Sequence, residues 1–211
     1  MRDTEKTMSL ERDQDGFYKG EWLGKDVRFP SVTTALGLIS NYDHVSKDVL
    51  ERACAFGNAV HRIVELHEHG KLDENSLRPK GKYLADTSGI LEAWKKCKRE
   101  KHIEVYAVEQ VVASLKYQYA GRLDVVAKVK GVLALIEIKS RAYNPMLEPL
   151  QTSAYANAWD EAHKEKIKER WFCELRLDGG YDFRPIKGKN DFHYFRCCLA
   201  AWNWREGNGG K

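Results

Sequence analysis

The stretch "GRLDVVAKVKGVLALIEIKS", residues 121–140, decides how this chain is read. Two runs rich in Val, Leu and Ile flank Lys130-Gly131, the pattern of two strands joined by a two-residue turn. In an extended chain successive side chains point to opposite faces, so Glu137 and Lys139 share one face while Ile136 and Ile138 take the other. A strand built for a core therefore ends with a carboxylate beside an ammonium. With Lys130-Gly131 as the turn, Val129 faces Val132, and counting pair by pair brings Asp124 opposite Glu137. A bulge at the turn would slip that register by one residue. Like charges facing each other destabilise a ladder, so the pair is a poor structural choice unless a cation sits between the carboxylates.

The arrangement has a chemical logic. Hard divalent cations such as Mg2+ prefer oxygen donors and keep several waters. Asp124, Glu137 and the backbone carbonyl of Ile138 would leave positions for a phosphate oxygen and a nucleophilic water. Lys139 would orient that water or help deprotonate it, and would stabilise charge growing on the phosphate. The corresponding reaction is metal-dependent phosphodiester hydrolysis. Taken alone, a Glu-x-Lys pair is more simply a strand end emerging into water.

The 211 residues, 43% of them hydrophobic, suit one compact unit. Within it we separate an N-terminal extension, residues 1–45, from a main domain, residues 46–211. The net charge of +4 comes from 35 basic and 31 acidic residues and by itself selects no partner. No run of eighteen apolar residues occurs and the start lacks the apolar core of a signal peptide, so a soluble, cytoplasmic protein without membrane contact is expected. The five cysteines are odd in number and lack Cys-x-x-Cys spacing, which argues for free thiols and against a zinc ribbon. Cys197 and Cys198 read as core residues of the last helix.

The remaining pattern is mixed. A hairpin is expected around residues 24–26, then a short helix capped by Ser31 or Thr33. Helical periodicity covers residues 46–69, with Leu50, Ala53, Gly57, Val60 and Val64 on the inner face, and residues 84–101, with Leu91, Trp94 and Cys97 inward. The basic run "KKCKREK" falls on the wet side of the second helix. Three consecutive strands follow, then a helix over residues 150–166, a hairpin turning at Asp178-Gly179-Gly180, and a helix over residues 191–205. This order predicts an α/β or α+β sandwich.

The segments Gly-Arg-Leu-Asp124 and Glu137-Ile-Lys139 resemble the core of the PD-(D/E)xK nuclease superfamily, although Leu123 replaces the proline of that name. Gly57, His61 and Glu65 form a Gly-x-x-x-His-x-x-x-Glu stripe, and Gln151 and Tyr155 form Gln-x-x-x-Tyr after Lys139. Alone, the first is a polar edge of an amphipathic helix. In this order the motifs are similar to the RecB-type exonuclease branch. The segment "FPSVTTALG" is further similar to phage-type exonucleases related to the mitochondrial genome maintenance exonuclease. The resemblance implies an α/β, restriction-endonuclease-like core with a mixed central sheet flanked by helices. It implies a Mg2+- or Mn2+-dependent DNA exonuclease of phage or bacterial repair or recombination. Asp124, Glu137 and Lys139 would be catalytic, and His61, Asp124, Glu137 and the Ile138 carbonyl would hold metal. Gln151, Tyr155, Ser31 and Thr33 would contact the DNA strand, with Glu65 close to the metal. DNA with a free end is the implied partner, and a recombination or single-strand-binding protein is left open as another. The cysteine spacing does not match the iron-sulfur members of the branch, so no cluster is expected. Two other readings remain beside it: an endonuclease on the same core, and a DNA-end or single-strand binding module without catalysis.

Overall fold

The computed structural model of the protein describes residues 9–22, 25–40, 45–77 and 86–209. In chain order its elements are β1 (Ser9–Arg12), β2 (Phe17–Trp22), β3 (Lys25–Pro30), α1 (Val32–Leu36), α2 (Lys47–Glu68), α3 (Ser88–Lys101), β4 (Ile103–Ser114), β5 (Tyr119–Val129), β6 (Val132–Lys139), α4 (Glu148–Ala162), β7 (Glu169–Leu175), β8 (Tyr181–Pro185) and α5 (Asp191–Gly207). β1, β2 and β3 form a small sheet, and the central sheet runs β4-β5-β6-β7-β8. Its neighbours are antiparallel except β6 and β7, which lie parallel because α4 carries the chain back between them. The sheet is therefore mixed and flanked by helices, as the sequence implied.

The β5–β6 hairpin follows from its turn. Lys130 and Gly131 both have positive φ, 50° and 83°, the backbone of a tight hairpin turn whose twist suits the strands. Val129 pairs with Val132 and the ladder continues in step to Val125 and Ile136, so no bulge shifts the register.

Both faces of the sheet are covered, which explains the near-continuous apolar runs. On one face Val60, Ile63 and Val64 of α2 and Ile90, Leu91, Trp94 and Cys97 of α3 pack on Val125, Ala127, Ile136 and Ile138. On the other, α1, α4 and α5 contribute Leu36, Ala154, Trp159 and Phe195 against Leu123, Val126, Leu133 and Leu135. The small sheet docks through Leu10, Tyr18 and Phe29 onto Ala113 and Ala120 of the central strands.

Several details depart from the sequence reading. In α2 the stripe is buried only from Val60 onward, and Leu50, Ala53 and Gly57 are not in the core, because the first half of the helix extends beyond the sheet. The hairpin strands pair Trp22 with Lys25, so Lys25 and Asp26 belong to β3, and residues 23–24 lie outside the described residues. The predicted start of α3 at residue 84 also lies outside them, and the described helix begins at Ser88. α4 begins and ends earlier than expected. Glu148 fixes its start by accepting from the backbone N–H of Asn144 at 2.6 Å, and His163 adopts an extended backbone that ends it. Cys197 is exposed and Cys198 half-buried, since Phe195, Leu199 and Trp202 take the inner stripe of α5. The basic run of α3 is wet, as expected, and Lys95 and Lys98 there are paired with Glu74 and Glu68. Among the described residues no helix is long and apolar enough to cross a membrane.

Candidate active site

The alternation of β5 breaks at Asp124. Leu123 and Val125 are two residues apart and should share a face, yet they join opposite apolar layers. In the β4–β5 ladder Val108 pairs with Val125 and Gln110 with Leu123, while Glu109 and Asp124 between them form no rung of their own. Glu109 has φ of +49°, the left-handed region that a non-glycine residue rarely adopts and that clusters at functional sites.

The β5–β6 ladder stops at the same level. Asp124 is one step past the last backbone pair, at the position opposite Glu137 that the register predicts. Its Oδ2 instead accepts the backbone N–H of Ile138 at 2.7 Å. On its other edge β6 is paired with β7 from Ala134 to Lys139, so Glu137 still faces Phe172 and Ile138 faces Cys173. Glu137 is fully buried; its Oε1 accepts from Lys139 Nζ, and its Oε2 has no hydrogen-bond partner among the described residues.

His61 reaches the group from α2. Its Nδ1 is 3.0 Å from Glu109 Oε1 and 3.3 Å from Asp124 Oδ1. Burial alone would lower its pKa, but the charge and hydrogen bonds of Asp124 and Glu109 outweigh it and raise the imidazole to about 10. Burial and the charge of Asp124 raise Glu137 to about 7 despite Lys139. Asp124 moves the opposite way, held low by His61 against the cost of burial, and Lys139 is raised by Glu137 and Asp124.

These groups open into a cleft of about 610 Å³. His61, Asp124 and Lys139 line it with Gln151 and Tyr155 of α4, Ser31 and Thr33 beside α1, and Glu65 of α2. Gln151 Nε2 donates to the Tyr155 hydroxyl at 3.1 Å, and burial with the nearby Glu137 charge raises the phenol, which stays protonated as a donor. Gly121 makes room for that ring: a Cβ there would stand 2.4 Å from Tyr155 Cε1.

Most of the sequence-predicted residues line this one cleft, and the contacts of three of them add detail. The side chain of Ile138 points into the core, and its backbone N–H is the part that meets Asp124. Ser31 is buried and its hydroxyl is engaged: it caps α1 by accepting from Thr34 N–H at 3.0 Å and lies within hydrogen-bond distance of the Thr33 and Thr34 hydroxyls. Thr33 is the exposed member of that trio. Glu65 accepts from Arg62 at 2.6 Å and is not one of the acidic atoms gathered at His61.

The residue that sequence reading missed is Glu109. His61, Glu109 and Asp124 each place a ligand atom within 4.8 Å of the others. Three converging donors fit a divalent cation that prefers oxygen ligands and tolerates one imidazole, and Glu137, with its orphaned oxygen, is near enough for the Asp124 charge to raise its pKa. Glu109 stands in "AVEQVV", where one acid in an apolar strand was the available signal. Arg12, Tyr18, Asn58, Arg62 and Arg122 of the cleft were also not singled out as site residues from the motifs.

Neither a family model nor a curated protein matches the sequence. Among solved structures the chain is similar to a candidate exonuclease from Eubacterium rectale, with a TM-score of 0.51 and 14% identity over 74% of this chain and 68% of that one. The fold is restriction-endonuclease-like. An alkaline exonuclease from Laribacter hongkongensis matches less completely, with a TM-score of 0.37 and 13% identity over 56% of this chain and 65% of the other. In the restriction-endonuclease-like fold of this chain, the cleft lies where the two inner strands of the hairpin, β5 and β6, stop pairing.

Proposed function

We propose that this chain is a divalent-metal-dependent DNA nuclease that degrades DNA from a free end, in repair or recombination. The observation that carries the reading is the fully buried Glu137, with one oxygen unpartnered, held by Lys139, which lines an arginine-bordered cleft with Asp124 and His61. Buried carboxylates this close are costly unless a cation joins them, and cationic walls suit a phosphate chain. Asp124, Glu137, His61 and Glu109, with the Ile138 carbonyl, are the residues that would hold Mg2+ or Mn2+. When bound, such an ion lowers the pKa of a water and withdraws charge from a phosphate oxygen.

The chain's own residues do the rest. Lys139, anchored on Glu137, presents its ammonium at the cleft, where it orients an attacking water and offsets negative charge on the phosphate. The Tyr155 hydroxyl, held by Gln151, and the Thr33 hydroxyl are placed to donate to the strand. The exonuclease reading is favoured over an endonuclease by fold analogy with the candidate exonuclease from Eubacterium rectale.

The test is cleavage of end-labelled linear single- and double-stranded DNA beside a closed circle, with Mg2+, Mn2+ or chelator, for wild type and Lys139→Ala. Metal-dependent shortening of linear DNA only, lost in the variant, is expected. Cutting of the circle would make the protein an endonuclease. Undiminished cleavage by Lys139→Ala would sink the assigned role of the lysine, and binding without any cleavage would leave a DNA-binding module.

A further inference from the structure

Arg122 lies two residues before Asp124 in the segment Gly-Arg-Leu-Asp, and its side chain, 59% exposed, borders the cleft. Its guanidinium forms an ion pair with Glu109, Nε to Oε2 at 2.9 Å. Glu109 has an oxygen for each of two cations: Oε2 meets Arg122, and Oε1 meets His61 Nδ1 at 3.0 Å. His61 is in turn 3.3 Å from Asp124, which fixes the backbone of Ile138 between Glu137 and Lys139. An unbroken line of contacts thus runs from a solvent-facing arginine to the buried carboxylates.

Two other cations of the cleft are committed to acids, Lys139 to the buried Glu137 and Arg62 to Glu65 at 2.6 Å, and Arg12, which also borders the cleft, has no contact among the described residues that leads to the buried carboxylates. The planar guanidinium of Arg122 can take a phosphate through donors that the Nε–Glu109 pair does not use. A phosphate on those free donors shares the guanidinium's positive charge and so weakens its pair with Glu109 Oε2. That oxygen then turns toward the group formed by His61 and Asp124. The left-handed backbone of Glu109, beside the break in the ladder, holds the carboxylate between the two.

We propose that Arg122 binds a non-scissile phosphate of the nucleic-acid strand and that Glu109 couples this contact to the metal-holding residues. The proposal rests on the nuclease reading above, but its test needs no cleavage. Anisotropy of a labelled oligothymidine is measured in chelator across a range of salt for wild type, Arg122→Ala and Arg122→Lys. One lost phosphate contact should weaken binding about five- to tenfold and flatten the slope of log affinity against log salt by about 0.7. Arg122→Lys should keep the slope, since a point charge suffices for one phosphate. Ca2+ binding is then titrated calorimetrically with and without saturating strand. In wild type the strand should tighten Ca2+ about fivefold or more, and by reciprocity Ca2+ should tighten the strand equally. Glu109→Gln should lose this coupling and keep the salt slope.

Each variant is checked by thermal melting: Arg122 is exposed and the Glu109 change is nearly isosteric, so both should fold. An unchanged affinity and slope in Arg122→Ala would overturn the phosphate contact. Equal Ca2+ affinity with and without strand in wild type, or coupling intact in Glu109→Gln, would overturn the link. Strand binding by a wild type that cleaves nothing would overturn the nuclease reading alone, whereas no strand binding at all would overturn both.

Discussion

The charge on Glu137 is a cost that the fold carries without metal, and this can be measured. Burial and the Asp124 carboxylate displace its pKa from 4.5 to about 7. A carboxyl whose folded pKa is raised contributes stability that is fully present below pH 4.5 and lost as pH rises through about 7. At about 1.4 kcal/mol for each pH unit of displacement, the loss amounts to about 3 kcal/mol. Glu137→Gln is close in shape to the protonated acid and still offers Lys139 an oxygen acceptor. In chelator the variant should match wild type near pH 4.5 and exceed it by about 3 kcal/mol above pH 8, while being inactive. The shift already includes the offsetting pulls of Lys139 and His61 on Glu137.

Urea unfolding followed by circular dichroism at half-unit pH intervals gives the difference directly. Mg2+ or Mn2+ at a hundredfold excess over the wild-type dissociation constant should then narrow the gap by stabilising wild type by about 2.7 kcal/mol and the variant, which lacks one of the charged ligands, by less. A Glu137→Gln protein less stable than wild type at pH 8 in chelator would refute the reasoning. It would mean that the Glu137–Lys139 pair is a net stabilising salt bridge that needs no cation.

Three other outcomes are expected. His61, raised to about 10 by its two carboxylates, must lose its proton to bind metal, so between about pH 7, where Glu137 has already ionised, and about 10 the apparent metal affinity should rise about tenfold per unit; His61→Ala should abolish the dependence in that window in a calorimetric titration and raise the metal concentration required. Gly121→Ala forces the Tyr155 ring aside and should cost about 1–3 kcal/mol in urea unfolding together with most of kcat/KM; normal stability and activity would show that the ring is free to move. In a thiol-reagent assay Cys54 and Cys197 should react at once, while Cys97 and Cys173, buried with sulfurs 3.9 Å apart, should react only on unfolding; rapid reaction of four or five thiols would contradict the packing of α3 on β7.

What was legible in the sequence depended on regular geometry. The turn at Lys130-Gly131 set a register that could be counted, and Asp124 opposite Glu137 followed from it. His61 and Gln151/Tyr155 were visible as four-residue helical steps. Burial along α2 was misjudged because periodicity marks a face and not how far the sheet beneath it extends, and Cys197 because adjacent small residues in α5 cannot both occupy one stripe. Glu109 escaped because it is the residue whose backbone departs from strand geometry, and no alternation rule reaches through a left-handed position.

The same departure explains why the site lies where it does. A regular β4–β5–β6 sheet would satisfy every backbone group at this level and would send side chains alternately to two dry layers, leaving no edge at which water, metal and phosphate meet. Here Glu109 and Asp124 fall between the flanking β4–β5 rungs, and at Glu137 β6 has lost β5 from one edge while it stays paired with β7 on the other. Asp124 compensates with its side chain by accepting the Ile138 N–H that the ladder would otherwise have used. That bond fixes the acid and orients the peptide between Glu137 and Lys139. Replacing Asp124 by Asn should therefore leave the strand ends less disturbed than Ala does, because an amide oxygen can still accept that N–H. Both changes should abolish hydrolysis, since the carboxylate charge is gone in each. Hydrogen exchange at the Ile138 amide separates the two roles: slow in wild type and Asp124→Asn, fast in Asp124→Ala. Equally fast exchange in all three would show that the acid does not hold the backbone.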